Sequence, residues 1–229
     1  MIRNLSRSMP TLLLALVPLV LPVAPASAAD HGNKALAPDP VVFVHGWNSD
    51  GSTWRTMAGR FRSDGWPAGH LDQWTYDATQ SNVTTAERLA DEIDRVLAAT
   101  GASKVDVVTH SMGGLSSRHY LKKLGGTAKV DAWVSLAGPN HGTETARWCG
   151  GAPCVEMRPG SVFLNALNAG DETPGSPRYA TWRSPCDMII SPKDSVAVTG
   201  AVNHTTACLG HSDVLSDQAV YEAVKQHLR

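Results

Sequence analysis

The residues best placed to do chemistry surround one serine. Ser111 stands in the run Val105-Asp106-Val107-Val108-Thr109-His110-Ser111-Met112-Gly113-Gly114. The run matches Gly-x-Ser-x-Gly with one departure, because Thr109 occupies the first glycine position. In that motif the serine sits on a strained turn between a strand and a helix, so the flanking positions must be small and the hydroxyl is presented outward. A short β-branched run precedes Ser111. A helical pattern follows over residues 112–124 and is closed by Gly125-Gly126. This context separates the motif from a serine that merely caps the next helix. A serine hydroxyl is a weak nucleophile at neutral pH. It needs an imidazole to take its proton and a carboxylate to fix the imidazole's tautomer.

Where a nucleophile elbow of this kind occurs, the partners follow in the order serine, acid, histidine. Of nine histidines, four, His45, His70 and His110 among them, precede Ser111, and His119 lies on the helix after it. His211, in Gly210-His211-Ser212-Asp213 just before a closing helical pattern, is the predicted base. His204 is its rival, and His204 and His141 read as solvated or loop-bonding histidines. The acid should end a late strand. Asp187, leading into Met188-Ile189-Ile190, is the predicted acid, with Asp171, Asp194 and Glu156 as competitors. Acyl transfer builds charge on a carbonyl oxygen, which two backbone N–H groups usually receive. Met112, next after the nucleophile, and Trp47, in His45-Gly46-Trp47 after the apolar run 41–44, are the candidates for this oxyanion hole.

These residues need a frame, and the chain of 229 residues is long enough for one sizeable α/β domain. Apolar runs at 41–44, 71–76, 104–109 and 130–136 read as strands. Helical patterns at 53–64, 86–101 and 112–124 alternate with them. Thr84-Thr85-Ala86-Glu87 has the spacing of a capping box for the second helix. Alternation of this kind argues a mostly parallel sheet with helices on both faces. Residues 138–178 interrupt it with Gly, Pro, two cysteines and a helical piece near 161–168, and read as a lid-like insertion. Strand material is expected again at 179–182, 188–190 and 196–202, and a closing helix at 214–228.

The N-terminus reads as a signal peptide over residues 1–28. Arg3 and Arg7 are followed by an apolar run at 11–24 and by Ala26-Ser27-Ala28. Cleavage near Ala28 would leave a lead-in at 29–39 and one catalytic domain at 40–229. Export makes Cys149, Cys154, Cys186 and Cys208 read as two disulfides. Three pairings are possible, of which neighbours, Cys149–Cys154 and Cys186–Cys208, are the simplest. A Cys186–Cys208 bridge would tie the Asp187 loop to the His211 loop. A formal net charge of −1, with no Lys/Arg run, speaks against nucleic acid as a partner. No stretch after the signal segment could cross a bilayer. A monomer without a cofactor is expected. Close metal-ligand spacing is lacking, although the sequence leaves a structural calcium open.

Taken in order, Val-His-Gly-Trp, Val-Asp-Val-Val-Thr-His-Ser-Met-Gly-Gly, Ser-Leu-Ala-Gly-Pro-Asn-His-Gly-Thr, Cys-Asp-Met-Ile-Ile and Gly-His-Ser-Asp-Val-Leu resemble the small secreted bacterial lipases related to Bacillus lipase A, over residues 40–228. The resemblance implies a minimal α/β-hydrolase fold of about six mostly parallel strands. It implies lipase or esterase activity without a cofactor, on lipid or other ester substrates. By position it puts Ser111, Asp187 and His211 on the triad and Trp47 and Met112 on the oxyanion hole. Two departures stand out: Thr109 at a position usually held by a small residue, and a longer, cysteine-bearing stretch between nucleophile and acid. A polyester hydrolase or extracellular acyltransferase would use the same triad. A non-catalytic binding module would be expected to lack one of its members.

Overall fold

The computed structural model describes Met1 and residues 38–229. The expected signal peptide and residues 29–37 of the lead-in lie outside the described residues, apart from Met1. Six strands form one sheet in the order β2-β1-β3-β4-β5-β6. They are β1 (Val41–Val44), β2 (Leu71–Trp74), β3 (Val105–His110), β4 (Val130–Leu136), β5 (Arg178–Arg183) and β6 (Val202–Thr205). Every pairing is parallel, so the expected α/β architecture holds in its stricter form.

The reason lies in the strands themselves. β1 and β3 are buried at every position, as strands covered on both faces must be. Alternate side chains feed two separate cores. Val42 and Val44 face a cluster with Leu89, Ile93 and Leu115 from α2 (Asn82–Thr100) and α3 (Gly113–Lys123). Val41 and Phe43 face the other, with Met57 and Phe61 from α1 (Arg55–Ser63) and Val220 and Tyr221 from α6 (Gln218–His227). The chain runs from β1 outward to β2, then returns to the other side of β1 as β3. The C-terminal ends of β1 and β3 therefore form a topological switch point, where a crevice opens in sheets of this type.

Several boundaries differ from those the sequence suggests, each for a physical reason. α2 begins at Asn82 with Ser81 as its cap, not at Thr84-Glu87. The carboxylate that completes the cap is Glu156, which accepts from the Asn82 amide at 2.7 Å and from the Ser81 hydroxyl at 2.5 Å. No local spacing could announce a partner 74 residues away. Residues 188–190 form no strand. The Ile189 and Ile190 amides turn back onto the Asp187 carboxylate. The last strand is β6 at Val202–Thr205, displaced from the apolar stretch at 196–202. It lies at the sheet edge and is mostly exposed, so it carries no apolar signature. The 138–178 stretch is better ordered than its composition suggests. It holds a 3₁₀ turn at Glu144–Trp148, α4 (Ala152–Glu156) and α5 (Val162–Asn168), and it buries Cys154, Leu164 and Leu167 in the core. Among the described residues no helix is long and apolar enough to cross a membrane.

Candidate active site

Ser111 follows the last residue of β3 directly and has a φ of 52°, a left-handed conformation that costs a non-glycine residue on the order of 1 kcal/mol or more. The turn is held by the Ser111 amide donating to the Leu136 carbonyl and the Gly114 amide donating to the Ser111 carbonyl, both at 3.0 Å. Close packing explains the glycines around it. A Cβ at Gly46 would stand 2.9 Å from the Ser111 Cβ, and one at Gly113 would stand 2.6 Å from the Val44 and His45 carbonyl oxygens. The loop after β1 and the start of α3 can approach Ser111 this closely only because these side chains are missing. Thr109 causes no crowding. It is fully buried within β3, and its hydroxyl donates to the Val134 carbonyl at 2.9 Å.

The structure brings Ser111, His211 and Asp187 into one line. His211 Nε2 lies 3.0 Å from Ser111 Oγ, and His211 Nδ1 lies 2.8 Å from Asp187 Oδ2. A carboxylate can only accept here, so Nδ1 carries the hydrogen and Nε2 is left free to accept from the serine. Asp187 is buried, and its other oxygen accepts from the amides of Ile189 and Ile190 at 2.8 and 3.0 Å. Burial alone would push this carboxyl up. The His211 hydrogen bond, the His211 charge and the two amides outweigh burial and hold it below its ordinary value. Asp187 therefore stays ionised beside the imidazole. It sits in the turn four residues after β5 ends, reached through Pro185-Cys186.

The competitors are occupied elsewhere. Asp194 pairs with Arg183, Asp171 accepts from the Thr173 amide, and Glu156 caps α2. His204 lies on β6, stacked on Trp182 at 4.4 Å, rather than in a loop. His141 meets the Glu172 carboxylate at 2.8 Å.

Cys186 is joined to Cys208 and Cys149 to Cys154, with Cα–Cα distances of 4.9 and 5.7 Å. The first bridge spans the loops that carry Asp187 and His211. A residue that sequence reading passed over reinforces it. The buried Ser184 hydroxyl donates to the Leu209 carbonyl at 2.6 Å and accepts from the amides of Leu209 and Cys186. His45 is a second such residue. Its Nε2 accepts from the Tyr76 amide at 3.3 Å, so Nδ1 donates to the Gly46 carbonyl at 2.9 Å, and its ring stacks on Tyr76 at 4.0 Å. Burial lowers its basicity, so the ring serves as a neutral brace under the Gly46-Trp47 loop. Neither residue has a local pattern that would reveal it.

The Trp47 and Met112 amides have no backbone acceptor among the described residues. Met112 precedes the first residue of α3, where an N–H is left free by helix geometry. A cleft of about 490 Å³ opens over Ser111 and His211, walled by Trp47, Thr143, Ala146, Trp148, Met157, Ile189 and Ile190. Four of these come from the 138–178 stretch, which thus forms one side of the cleft. The arrangement can transfer a proton from a hydroxyl to an imidazole beside a largely apolar slot.

The one carboxylate cluster with metal-like spacing among the described residues, Asp39, Asp106 and Asp131, belongs to the opposite, N-terminal end of the strands. Arg178 at 2.7 Å and Lys104 at 3.6 Å already hold Asp131.

A family model described as Lipase (class 2) matches residues 38–226. Among solved structures, the chain is similar to the mature form of the Bacillus licheniformis lipase BlEst2, with a TM-score of 0.73, 18% identity, and coverage of 84% of this chain and 93% of that one. It is also similar to Aspergillus fumigatus lipase B, with a TM-score of 0.68, 18% identity, and coverage of 80% and 51%. A phospholipase of Legionella pneumophila, PlaB, shares the fold more distantly, with a TM-score of 0.55, 19% identity, and coverage of 65% and 39%.

Proposed function

Because this chain belongs to the class 2 lipase family and is thereby a carboxylic ester hydrolase, we propose that it is a secreted serine lipase or esterase that cleaves fatty-acyl esters through an acyl-enzyme on Ser111. The observation that carries the reading is the line Ser111–His211–Asp187, with hydrogen-bond distances of 3.0 and 2.8 Å, on a nucleophile in a strained backbone conformation.

Ser111 Oγ attacks the ester carbonyl carbon while its proton passes to His211 Nε2. Asp187 holds Nδ1–H and stabilises the imidazolium that forms. The Met112 and Trp47 amides receive the charge on the carbonyl oxygen. The tetrahedral intermediate expels the alcohol, which takes the proton from His211. Water then attacks the acyl-enzyme with His211 as base, releasing the acid and restoring Ser111. No step calls for a cofactor. The apolar walls of the cleft suit an acyl chain, with Trp47 contributing both an amide and an indole face. Secretion is supported by the three-part N-terminal pattern and by four cysteines, all paired.

Turnover of p-nitrophenyl esters of graded chain length by the wild type and by Ser111→Ala tests the reading. A loss of at least about 10³-fold in kcat is expected for Ser111→Ala. Wild-type turnover in that variant would sink it.

A further inference from the structure

Among the described residues His211 itself makes three hydrogen bonds, and only two of them belong to the relay just described. The third comes from His110. This side chain ends β3, is buried, and stands next to Ser111 in the chain. Its Nε2 lies 3.0 Å from the backbone carbonyl oxygen of His211. The two rings lie 4.7 Å apart, centroid to centroid, tilted by 46°. A carbonyl only accepts, so His110 Nε2 carries the hydrogen and donates it.

Resting on the assignment of Ser111 as nucleophile and His211 as base, we propose that His110 is a positioning residue. Its Nε2–H tethers the backbone of the base loop to the strand that presents the nucleophile.

The remaining contacts of that loop show why such a tether matters. Upstream, Leu209 is gripped by Ser184 and Cys208 is bound to Cys186. Both contacts tie the loop to the segment that carries Asp187. Across His211 the Gly210 amide donates to the Asp213 carboxylate, which is local. None of these fixes the loop relative to β3. Apart from the His211 ring itself, the His110 bond is the hydrogen bond among the described residues that joins this loop to the nucleophile's strand. A displacement of the reacting groups by about 1 Å can cost on the order of 100-fold in rate, so a backbone anchor adjacent to Ser111 bears directly on kcat.

The chemistry of His110 suits the task. Burial, followed by the nearby His211, pushes its basicity down to about 3. The His211 carbonyl and the Asp187 charge oppose that trend, and His45 reinforces it. His110 therefore stays neutral while His211 is protonated in the reaction. A second cation 4.7 Å away would work against that protonation.

His110→Phe keeps a ring of similar size without the donor, and His110→Gln places an amide N–H near the position of Nε2. Assayed on soluble p-nitrophenyl butyrate, His110→Phe should lose about 10- to 100-fold in kcat with KM within about threefold of wild type. His110→Gln should recover kcat to within about threefold. Should His110→Phe fail to fold, His110→Leu takes its place as the donor-less variant. A donor-less variant with wild-type kcat would overturn the proposal. So would a folded His110→Gln as impaired as the donor-less variant, because shape rather than the hydrogen bond would then be responsible. Ser111→Ala in the same assay separates the two levels. Its inactivity beside a fully active His110→Phe would remove only the tether, whereas its activity would remove the underlying assignment.

Discussion

The elbow departs from its usual sequence at a single residue, and the side-chain contacts explain why the departure is harmless. Thr109 is still a strand residue, paired in register with Val44 on one side and Ser135 on the other. The crowding that a nucleophile elbow must avoid falls instead on Gly46 and Gly113, where an added Cβ would approach to 2.9 and 2.6 Å. Thr109 thus contributes a buried hydrogen bond and a β-branched side chain to a central strand, which a glycine would forgo. Thr109→Gly, although it restores the usual motif, should lower stability by about 2 kcal/mol while leaving kcat on a soluble ester within about threefold. Urea unfolding and p-nitrophenyl butyrate kinetics check the two halves. A more stable Thr109→Gly would show that the hydroxyl bond to Val134 contributes nothing. Ser111 and His211 stand at junctions of segments recognisable in the sequence, whereas the apolar run at 188–190 beside Asp187 forms no strand. Ser184, His45 and His110 could not be picked out in the sequence, because their roles lie in partners 25, 31 and 101 residues away.

β3 carries a second unusual residue at its other end, and there the consequence is a pH dependence. Asp106 is buried, and neither carboxylate oxygen has a well-formed hydrogen bond among the described residues. Burial first, then the charges of Asp39 and Asp131, push its pKa up to about 8, against the pull of Arg178 and the weaker pull of the Ala132 amide. The unfolded chain releases this proton near its ordinary value of 3.8. Between the two values the native state holds more protons than the unfolded state, so this group's contribution to stability falls as pH rises through that interval and levels off above it. Asp106→Asn has no such titration. The stability difference between Asp106→Asn and wild type should therefore shift in favour of Asn from pH 5 to pH 8, as read by urea unfolding at each pH. A difference that stays constant over that range would mean Asp106 is ionised throughout. The slope is the test, since an amide's own contacts shift the offset. The same strand illustrates what made the elements legible. β1, β3 and β4 are buried on both faces and show as apolar runs, while β6, at the edge and mostly exposed, does not. The helix cap at Ser81 was invisible for a different reason, because its acidic partner arrives from α4.

On the scale of the whole molecule, four exposed large apolar side chains stand at or beside the cleft, while others such as Val162 and Val202 lie elsewhere. Trp148 is 92% exposed, Met188 81%, Ile189 46% and Trp47 42%. Trp148, Ile189 and Trp47 wall the cleft over Ser111, and Met188 adjoins Ile189 in the chain. An apolar patch gathered round a site marks a surface that meets an apolar partner, and with a formal charge of −1 long-range electrostatics offers no alternative attraction to anionic lipid. Trp148 is held outward by a braced turn. The Cys149–Cys154 bridge follows it directly, and Arg158 donates to the carbonyls of Ala146 and Cys149 at 3.2 and 3.3 Å. A fixed indole of this kind loses little conformational freedom on entering a lipid surface, and burying it is worth about 2 kcal/mol. Trp148→Ala should therefore lower the rate on an emulsified triacylglycerol by roughly 30-fold at limiting interface, since each 1.4 kcal/mol corresponds to tenfold. Its kcat on monomeric p-nitrophenyl acetate should stay within about twofold. Equal losses on both substrates would assign Trp148 to the cleft wall alone. A loss confined to the emulsion would place it at the contact between enzyme and substrate surface, so that the 138–178 stretch shapes the acyl slot with one side and meets the lipid with the other.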